Sequence, residues 1–399
     1  MIELLAPAGT KEKLQTAFNY GADACYFAGT KYGLRAYSGN FTNDELKESI
    51  EYAHSIGKKC YITVNIVAHN DDFNELADYI LYLQSINADA VIVSDVGIIK
   101  LIREIAPSLD IHVSTQANVT NKYAAKFYCD LGVTRIVLAR ELSIPEIKEI
   151  RDFIPANVEL EAFVHGAMCI SYSGRCLLSN FLTGRDGNCG ACVQACRWEY
   201  AIAEIHRPNE YMPITEDGRG TYILNSKDIN MLCYLKELYE AGVTSFKVEG
   251  RMKSAYYVAT VINAYRKVID NNFVVTDELL NELNKTSHRK YTTGFYFGEQ
   301  NKQDLEGSGY TQDYEFVALV LEDSINGKAL IEQRNRFKVG EELEILSPTD
   351  SLNKTIVVTP MMDEKGKVVE DAMWVQQKLY LPTEIKLTKG DILRRKINA

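Results

Sequence analysis

Over its first 270 residues the chain repeats one unit, a short β-branched or aromatic run followed by an amphipathic stretch of 10 to 15 residues, and few folds accommodate that rhythm. The alternation predicts βα units and a parallel sheet. The runs are Glu3–Pro7, Ala24–Ala28, Cys60–Asn65, Ala90–Asp95, Ile111–Gln116, Arg135–Arg140, Val158–Val164 and Ser245–Gly250, eight of them. Eight strands with a helix each point to an α/β chain closed as a TIM-like (β/α)8 barrel. An open doubly wound sheet is the alternative, but no Gly-x-Gly-x-x-Gly fingerprint follows the first strand, which weakens its dinucleotide-binding form. Helix starts are legible at Thr10 before Lys11, at Asn43 before Asp44, and at Ser143 with Pro145 and Glu146 in the first turn. Gly21, Gly132 and Gly242 end helices just before strands, where a left-handed cap suits glycine.

The repeat breaks once, between Gly166 and Asp228, at a cysteine-rich stretch and two strand-like runs, Glu199–Ile205 and Thr221–Asn225. Insertions of that size after a barrel strand commonly build the active site. The expected division is a catalytic barrel over residues 1–270 with the insertion at 166–228, a linker over 271–312, and a small C-terminal all-β barrel domain over 313–399. The linker holds a helical piece and the aromatic segment Tyr291–Gly298. Strands are expected at Tyr314–Leu321, Lys328–Gln333, Glu341–Leu346, Thr355–Val358 and Glu384–Leu387, with Asn326-Gly327 as a hairpin turn. Phe337–Glu344 and Lys389–Arg394 resemble the barrels of translation factors. One large domain and one smaller one also suit a length of 399 residues.

Composition is that of a globular protein, 46% hydrophobic and 25% charged, with no apolar run long enough for a membrane span. The first residues lack the basic and apolar regions of a secretory signal, so the expected location is cytoplasmic. A formal charge of -10 argues against a generally basic surface for nucleic acid. From Gly309 on there are 13 Lys and Arg against 15 Asp and Glu, so most of the acidity lies on the large domain and the tail is left to carry a partner.

Nine cysteines in a reducing compartment do not suggest a disulfide framework. Cys25, Cys60 and Cys129 sit singly in apolar periodic segments, where a small buried hydrophobe is expected. Cys169, Cys176, Cys189, Cys192 and Cys196 fall within one Gly-rich stretch, and four thiolates there can wrap a soft metal centre. The wide spacing of Cys169 and Cys176 suits a 4Fe-4S cluster; the tighter Cys189-x-x-Cys192 pair keeps zinc open as the alternative. Cys189 and Cys233 stand in reserve as ligands. A thiol nucleophile pairing His165 with Cys169 is a competing enzymatic reading.

In such a barrel the carboxyl ends of the strands face the active site. That set is Pro7, Asn65, Asp95, Gln116, Arg140, His165, Glu249 and Arg251. Any one of these polar groups has a second reading as a loop cap, and the two arginines have one as structural ion pairs.

The strongest local signal is Glu161-x-Phe-x-His-Gly-x-x-Cys169-x-x-x-x-Gly-x-Cys176-x-x-Ser179, followed by Gly190-Ala-Cys192-x-x-x-Cys196-Arg-Trp198. At these residues the chain resembles peptidase family U32, also called collagenase-like proteases. So do Leu5-Ala-Pro-Ala-Gly9, Gln116-Ala-Asn-Val-Thr-Asn121, Phe246-Lys-Val-Glu-Gly-Arg-Met-Lys-Ser254 and His288-Arg-x-x-x-x-Gly-Phe295. The family name implies proteolysis, but the Cys192 to Trp198 segment and the β tail are similar to a branch that makes 5-hydroxyuridine at the tRNA wobble position without oxygen. That resemblance implies a 4Fe-4S cluster on Cys169, Cys176, Cys192 and Cys196, and prephenate as oxygen-donating co-substrate. Beside that cluster, the polar groups at and near the strand ends are expected to do the rest: catalytic work for His165, Glu249 and Arg251, and substrate binding by Gln116, Asn118, Arg140 and Lys247. The expected partners are tRNA and a small anionic co-substrate, with no membrane; a homo-oligomer, or a hetero-oligomer with a paralogue, stays open. A peptidase and a zinc-holding RNA-binding module are the other two readings.

Overall fold

In the computed structural model, residues 2–33, 39–168, 178–183, 185, 193, 195, 216–217, 220–221, 227–298 and 310–397 are described. Cys169, Cys176, Cys189, Cys192 and Cys196 lie outside the described residues, as do Glu199–Ile205 and most of Thr221–Asn225. All eight expected barrel strands form: β1 (Glu3–Pro7), β2 (Ala24–Phe27), β3 (Lys59–Val64), β4 (Ala90–Val93), β5 (Ile111–Val113), β6 (Arg135–Val137), β7 (Glu159–Ala167) and β8 (Val243–Val248). They pair in parallel in sequence order. β8 pairs with both β7 and β1, which closes the ring.

Local chemistry accounts for the helices between them. Ser143 and Glu146 make a capping box on Ile144–Phe153, and Gly21, Gly132 and Gly242 all have positive φ. The second helix differs by one position from the expectation: Asn43 is its first residue, and Thr42 is the cap, bonded reciprocally with Glu45. Threonine three residues before a glutamate completes the box, whereas Asn43 has Leu46 at that spacing. Asp95 is likewise a cap, accepting from Gly97 N at 2.7 Å and Ile98 N at 3.1 Å. Cys25 and Cys60 are buried as expected, and Cys129 is half-buried.

The barrel interior is unusual in its charge. Arg135 at the start of β6 is almost fully buried and donates to Glu3, Glu159, Glu161 and Ser245. The other oxygen of Glu161 accepts from Lys247 Nζ at 2.7 Å, and both groups are buried. Burial works against the carboxylate of Glu3, but Arg135 beside it, with hydrogen bonds from Arg135, Tyr61 and Ser245, holds its pKa below the ordinary value. Burial also opposes the Arg135 charge, and the carboxylates of Glu3 and Glu161 outweigh it.

His112 on β5 packs edge-on to Tyr61, ring centroids 4.6 Å apart, and its Nδ1 is buried without a hydrogen-bond partner. Burial first, then the positive charges of Arg135, Lys247 and Lys59, push its pKa well below 6.5. The unfolded chain therefore takes up a proton below pH 6.5 that folded His112 refuses, so this residue makes stability fall as pH drops through that range, by up to about 1.4 kcal/mol per pH unit. His112→Gln is expected to flatten that loss between pH 7.5 and 5.5 in urea unfolding. Equal losses in parent and variant would assign the pH dependence elsewhere.

The chain forms two compact units: Met1–Leu14, Asp23–Met252 and Arg289–Tyr310 make the first, and Gln15–Ala22, Lys253–His288 and Thr311–Ala399 the second. In the second, eight antiparallel strands run in the order Thr355–Val357, Glu342–Leu346, Ile392–Lys396, Tyr314–Val320, Lys328–Gln333, Lys378–Pro382, Met361–Asp363, Val368–Val369. Their core is apolar, with Val317, Ile331, Phe337, Leu343, Leu379 and Leu393 at its centre. The helix Ala255–Asp270 joins these strands through Asn263, which donates to the Ser347 carbonyl at 3.1 Å. Arg394 is fully buried against Glu282 and Glu344.

Asn326 and Gly327 both have positive φ, as a tight hairpin requires. The expected strand Glu384–Leu387 is instead a connection between Lys378–Pro382 and Ile392–Lys396. Leu387 fills the core without joining a ladder, so its apolar spacing imitates a strand.

Candidate functional site

The carboxyl ends of β6, β7 and β8 converge on one polar cluster. β7 carries an irregularity opposite Lys247 and Val248, which face Phe163 and His165 across the ladder and leave Val164 extra. The Val164 carbonyl accepts from Met231 N at 2.9 Å instead. Such a bulge re-aims the side chain that follows it, and here that residue is His165.

His165 is buried, and its ring centroid lies 5.5 Å from that of Tyr291. Its carbonyl accepts from Glu249 N at 2.9 Å, which fixes the first residue after β8 beside it. Glu249 Oε2 in turn lies 3.7 Å from Arg140 Nη2, an ion pair too long for a hydrogen bond. The Arg140 guanidinium stacks 4.0 Å from the Phe163 ring centroid and donates from Nη1 to the Ala167 carbonyl at 2.7 Å. Its Nε is buried with no acceptor. Arg140 thus keeps donor capacity in a sheltered place, the condition under which a guanidinium recognises a carboxylate.

Arg251 is buried two residues beyond Glu249 and donates from Nη2 to Asn40 Oδ1 at 2.9 Å. Its carbonyl accepts from Lys13 Nζ at 3.3 Å. Burial, with the Arg251 charge adding to it, lowers the pKa of Lys13. Gln116 lies in the short 3-10 turn after β5, and its carbonyl accepts from Asn118 Nδ2 at 3.2 Å. Asn118 ends that turn in the left-handed conformation, with its Oδ1 buried and unpartnered. Asn65 reaches Ser114 Oγ at 3.5 Å. Lys247 points into the charged interior, with its ammonium held by Glu161.

Sequence reasoning passed over three contributors. The strand Asp228–Asn230 pairs antiparallel with the end of β7, setting Asn230 opposite His165, and Tyr291–Thr292 pairs parallel with that strand. Asp228 is buried; Oδ2 accepts from Arg289 N at 3.2 Å, and Oδ1 has no partner. Tyr291 sits opposite Asp228, and its pKa is raised by burial first and then by that carboxylate. Tyr296 donates to the Phe163 carbonyl at 2.7 Å, so the segment that reads as an aromatic linker helps build the mouth of the barrel. Its density of tyrosine was the available signal; Asp228 had none. Lys13 is the third, on the helix after β1.

In the insertion, Ser179 Oγ accepts from Val193 N at 3.1 Å and donates to the Arg185 carbonyl at 2.7 Å. Among the described residues no group of three His, Cys, Asp or Glu could hold a metal ion, and Cys233 is exposed. No described helix is long and apolar enough to cross a membrane.

Comparison with known proteins bears on both units. The chain is 39% identical over 402 residues to tRNA hydroxylation protein P1 of Bacillus subtilis (strain 168), covering 98% of this chain and 94% of that protein. It is 37% identical over 425 residues to tRNA hydroxylation protein P of Escherichia coli (strain K12), covering 95% and 93%. A collagenase of Porphyromonas gingivalis (strain ATCC BAA-308 / W83) is 30% identical over 416 residues, covering 98% and 97%. The model of peptidase family U32 matches residues 9–306, and that of the peptidase family U32 C-terminal domain matches residues 312–394. The two family models and these relatives span nearly the whole chain, and the chain belongs to peptidase family U32.

Proposed function

We propose that the chain is an RNA hydroxylase that converts the wobble uridine of tRNA to 5-hydroxyuridine without oxygen. The observation that carries this reading is the match, along nearly the whole of both chains, to two tRNA hydroxylation proteins at 39% and 37% identity. Proteolysis is the second reading: an uncharacterized protease of Methanocaldococcus jannaschii is 38% identical to this chain and the collagenase 30%.

The site chemistry suits the reading. Arg140, with its unused buried Nε–H, would receive a carboxylate of a small anionic co-substrate, for which prephenate is our candidate. Arg251, with Lys13 beside it, supplies further positive charge at the same end of the barrel. His165 and Glu249, tied together through the backbone, would hold or move protons at the reacting ring. Gln116 and Asn118 offer amide groups to the base edge.

Cys169, Cys176, Cys192 and Cys196 would hold a 4Fe-4S cluster, which supplies one-electron chemistry when bound. Their fit rests on the donor set itself, four soft thiolate ligands in the stretch that leaves β7. The Ser179 to Val193 hydrogen bond, which ties two parts of that stretch together, is consistent with this use.

Deleting the gene is expected to remove 5-hydroxyuridine-derived wobble nucleosides from total tRNA, read by nucleoside mass analysis in a strain without paralogues. Unchanged nucleosides would reject the reading. Protein purified without air is expected to carry close to four iron and four sulfide per chain, and Cys176→Ser to lose them; one zinc per chain would point to the structural module instead.

A further inference from the structure

The second unit presents large apolar side chains to solvent that neither its core nor the proposed chemistry uses. Met373, Trp374 and Val375 follow one another between the strands Asp371–Ala372 and Lys378–Pro382, and are 49%, 69% and 89% exposed. Their turn is closed: Gln377 N donates to the Trp374 carbonyl at 3.0 Å, and Trp374 N to Gln377 Oε1 at 3.3 Å.

Strand register shows what lies beside it. Met362 pairs with Tyr380 on one side and Val368 on the other, and Tyr380 pairs with Leu330. Directly opposed residues share a face, so Val368, Met362, Tyr380 and Leu330 form a row across four strands. The same register brings the hairpin turn Glu364–Lys367 and the Trp374 turn to the same end of Lys378–Pro382.

The charges around this row are unbalanced. Lys365, Lys367 and Lys378 are exposed, and Glu332, which lies opposite Lys378 in the ladder, is in an ion pair with Arg334. Lys328 lies over the Tyr380 ring, 4.7 Å from its centroid. The neighbouring acids are largely engaged. Asp363 accepts from Lys365 N and Lys367 N at 2.9 and 2.8 Å, Arg334 bridges Glu332 at 3.0 Å, and Arg336 bridges Asp371 at 2.7 Å. Asp363, Glu364 and Glu370 are the carboxylates in no ion pair, three against four ammonium groups.

An exposed aromatic flanked by mobile cations stacks a base and meets the phosphates on either side of it. We propose that this end of the sheet, which carries Trp374 and the exposed Lys365, Lys367 and Lys378, docks an unpaired stretch of the RNA substrate. The proposal rests on the RNA reading above and adds where the affinity comes from.

The test uses the full chain and tRNA transcribed in vitro, with binding followed by filter retention across a salt series. Trp374→Ala is expected to weaken binding about 5- to 100-fold and Trp374→Phe to recover most of it. The combined Lys365→Ala, Lys367→Ala and Lys378→Ala variant is expected to make the dependence of log Kd on log salt shallower by roughly 2. Parent-like unfolding midpoints would show that these exposed substitutions leave the fold intact. Parent-like binding by both variants overturns the docking face while the RNA reading stands; failure of that reading appears separately, as unchanged wobble nucleosides on gene deletion. A dimer that Trp374→Ala dissociates, with tRNA affinity unchanged, would assign the face to a second copy and overturn the proposal as well.

Discussion

Arg135→Met is expected to destabilise the barrel unit by about 3 to 5 kcal/mol, the cost of leaving buried charge without its partner. Arg135 is the common donor to Glu3, Glu159 and Glu161, and Glu161 is fully buried. Methionine matches the length of the stem but offers no proton, so Glu3 keeps Tyr61, Glu161 keeps Lys247, and the two compete for the single hydroxyl proton of Ser245. A loss of this size is a large share of the roughly 5 to 15 kcal/mol that holds a domain together. Because the chain has two compact units, urea unfolding should be followed for each, and the variant should shift the barrel transition alone. The deficit has a pH signature. Arg135 holds the Glu3 pKa below 4.5, so the parent gains stability from that pair above pH 4.5 and loses it as pH falls further. Parent and variant should accordingly converge in acid. A shift below about 1 kcal/mol at neutral pH would mean that water, rather than Arg135, compensates these carboxylates.

The second large effect is on activity. Arg140→Ala is expected to cost about 2 to 5 kcal/mol of binding to an anionic co-substrate, or roughly 30-fold to a few thousand-fold in kcat/KM. Arg140→Lys should recover little, because an ammonium reproduces neither the planar fork nor the stacking on Phe163. Glu249→Gln separates two roles of its carboxylate. It removes the anion 3.7 Å from Arg140, which should lower the KM for an anionic donor. It also removes a proton-holding group, which should lower kcat. Unaltered kinetics for Arg140→Ala with tRNA saturating would leave that arginine a structural role only.

Much of this was legible in one dimension. A β-branched or aromatic run every 21 to 35 residues from β1 to β7, and once more after the insertion, predicts the eight strands because a parallel strand, buried on both faces, needs continuous apolar side chains. Ser143-Ile-Pro-Glu146 and Asn326-Gly327 carry their own turn chemistry, so both features stand where expected. Glu384–Leu387 misled because alternating apolar residues do not say whether a ladder partner exists. At the site, Arg140, His165 and Glu249 were found from their positions at strand ends, and the structure brings them together. Asp95, in the same set, caps a helix instead.

Asp228, Tyr291 and Lys13 were missed because their neighbours come from distant parts of the chain; Asp228 meets Tyr291 only through a pairing beyond the barrel. Periodicity and end-of-strand chemistry, which are local properties, determined the barrel, the β tail and the polar mouth. Tertiary structure alone decided that Arg135 and Glu161 form a buried ion network, that a bulge aims His165, and that Trp374 shares an end of its sheet with Lys365, Lys367 and Lys378. Those outcomes depend on the register between strands far apart in sequence, and register is settled by packing across the whole unit rather than by any run of residues.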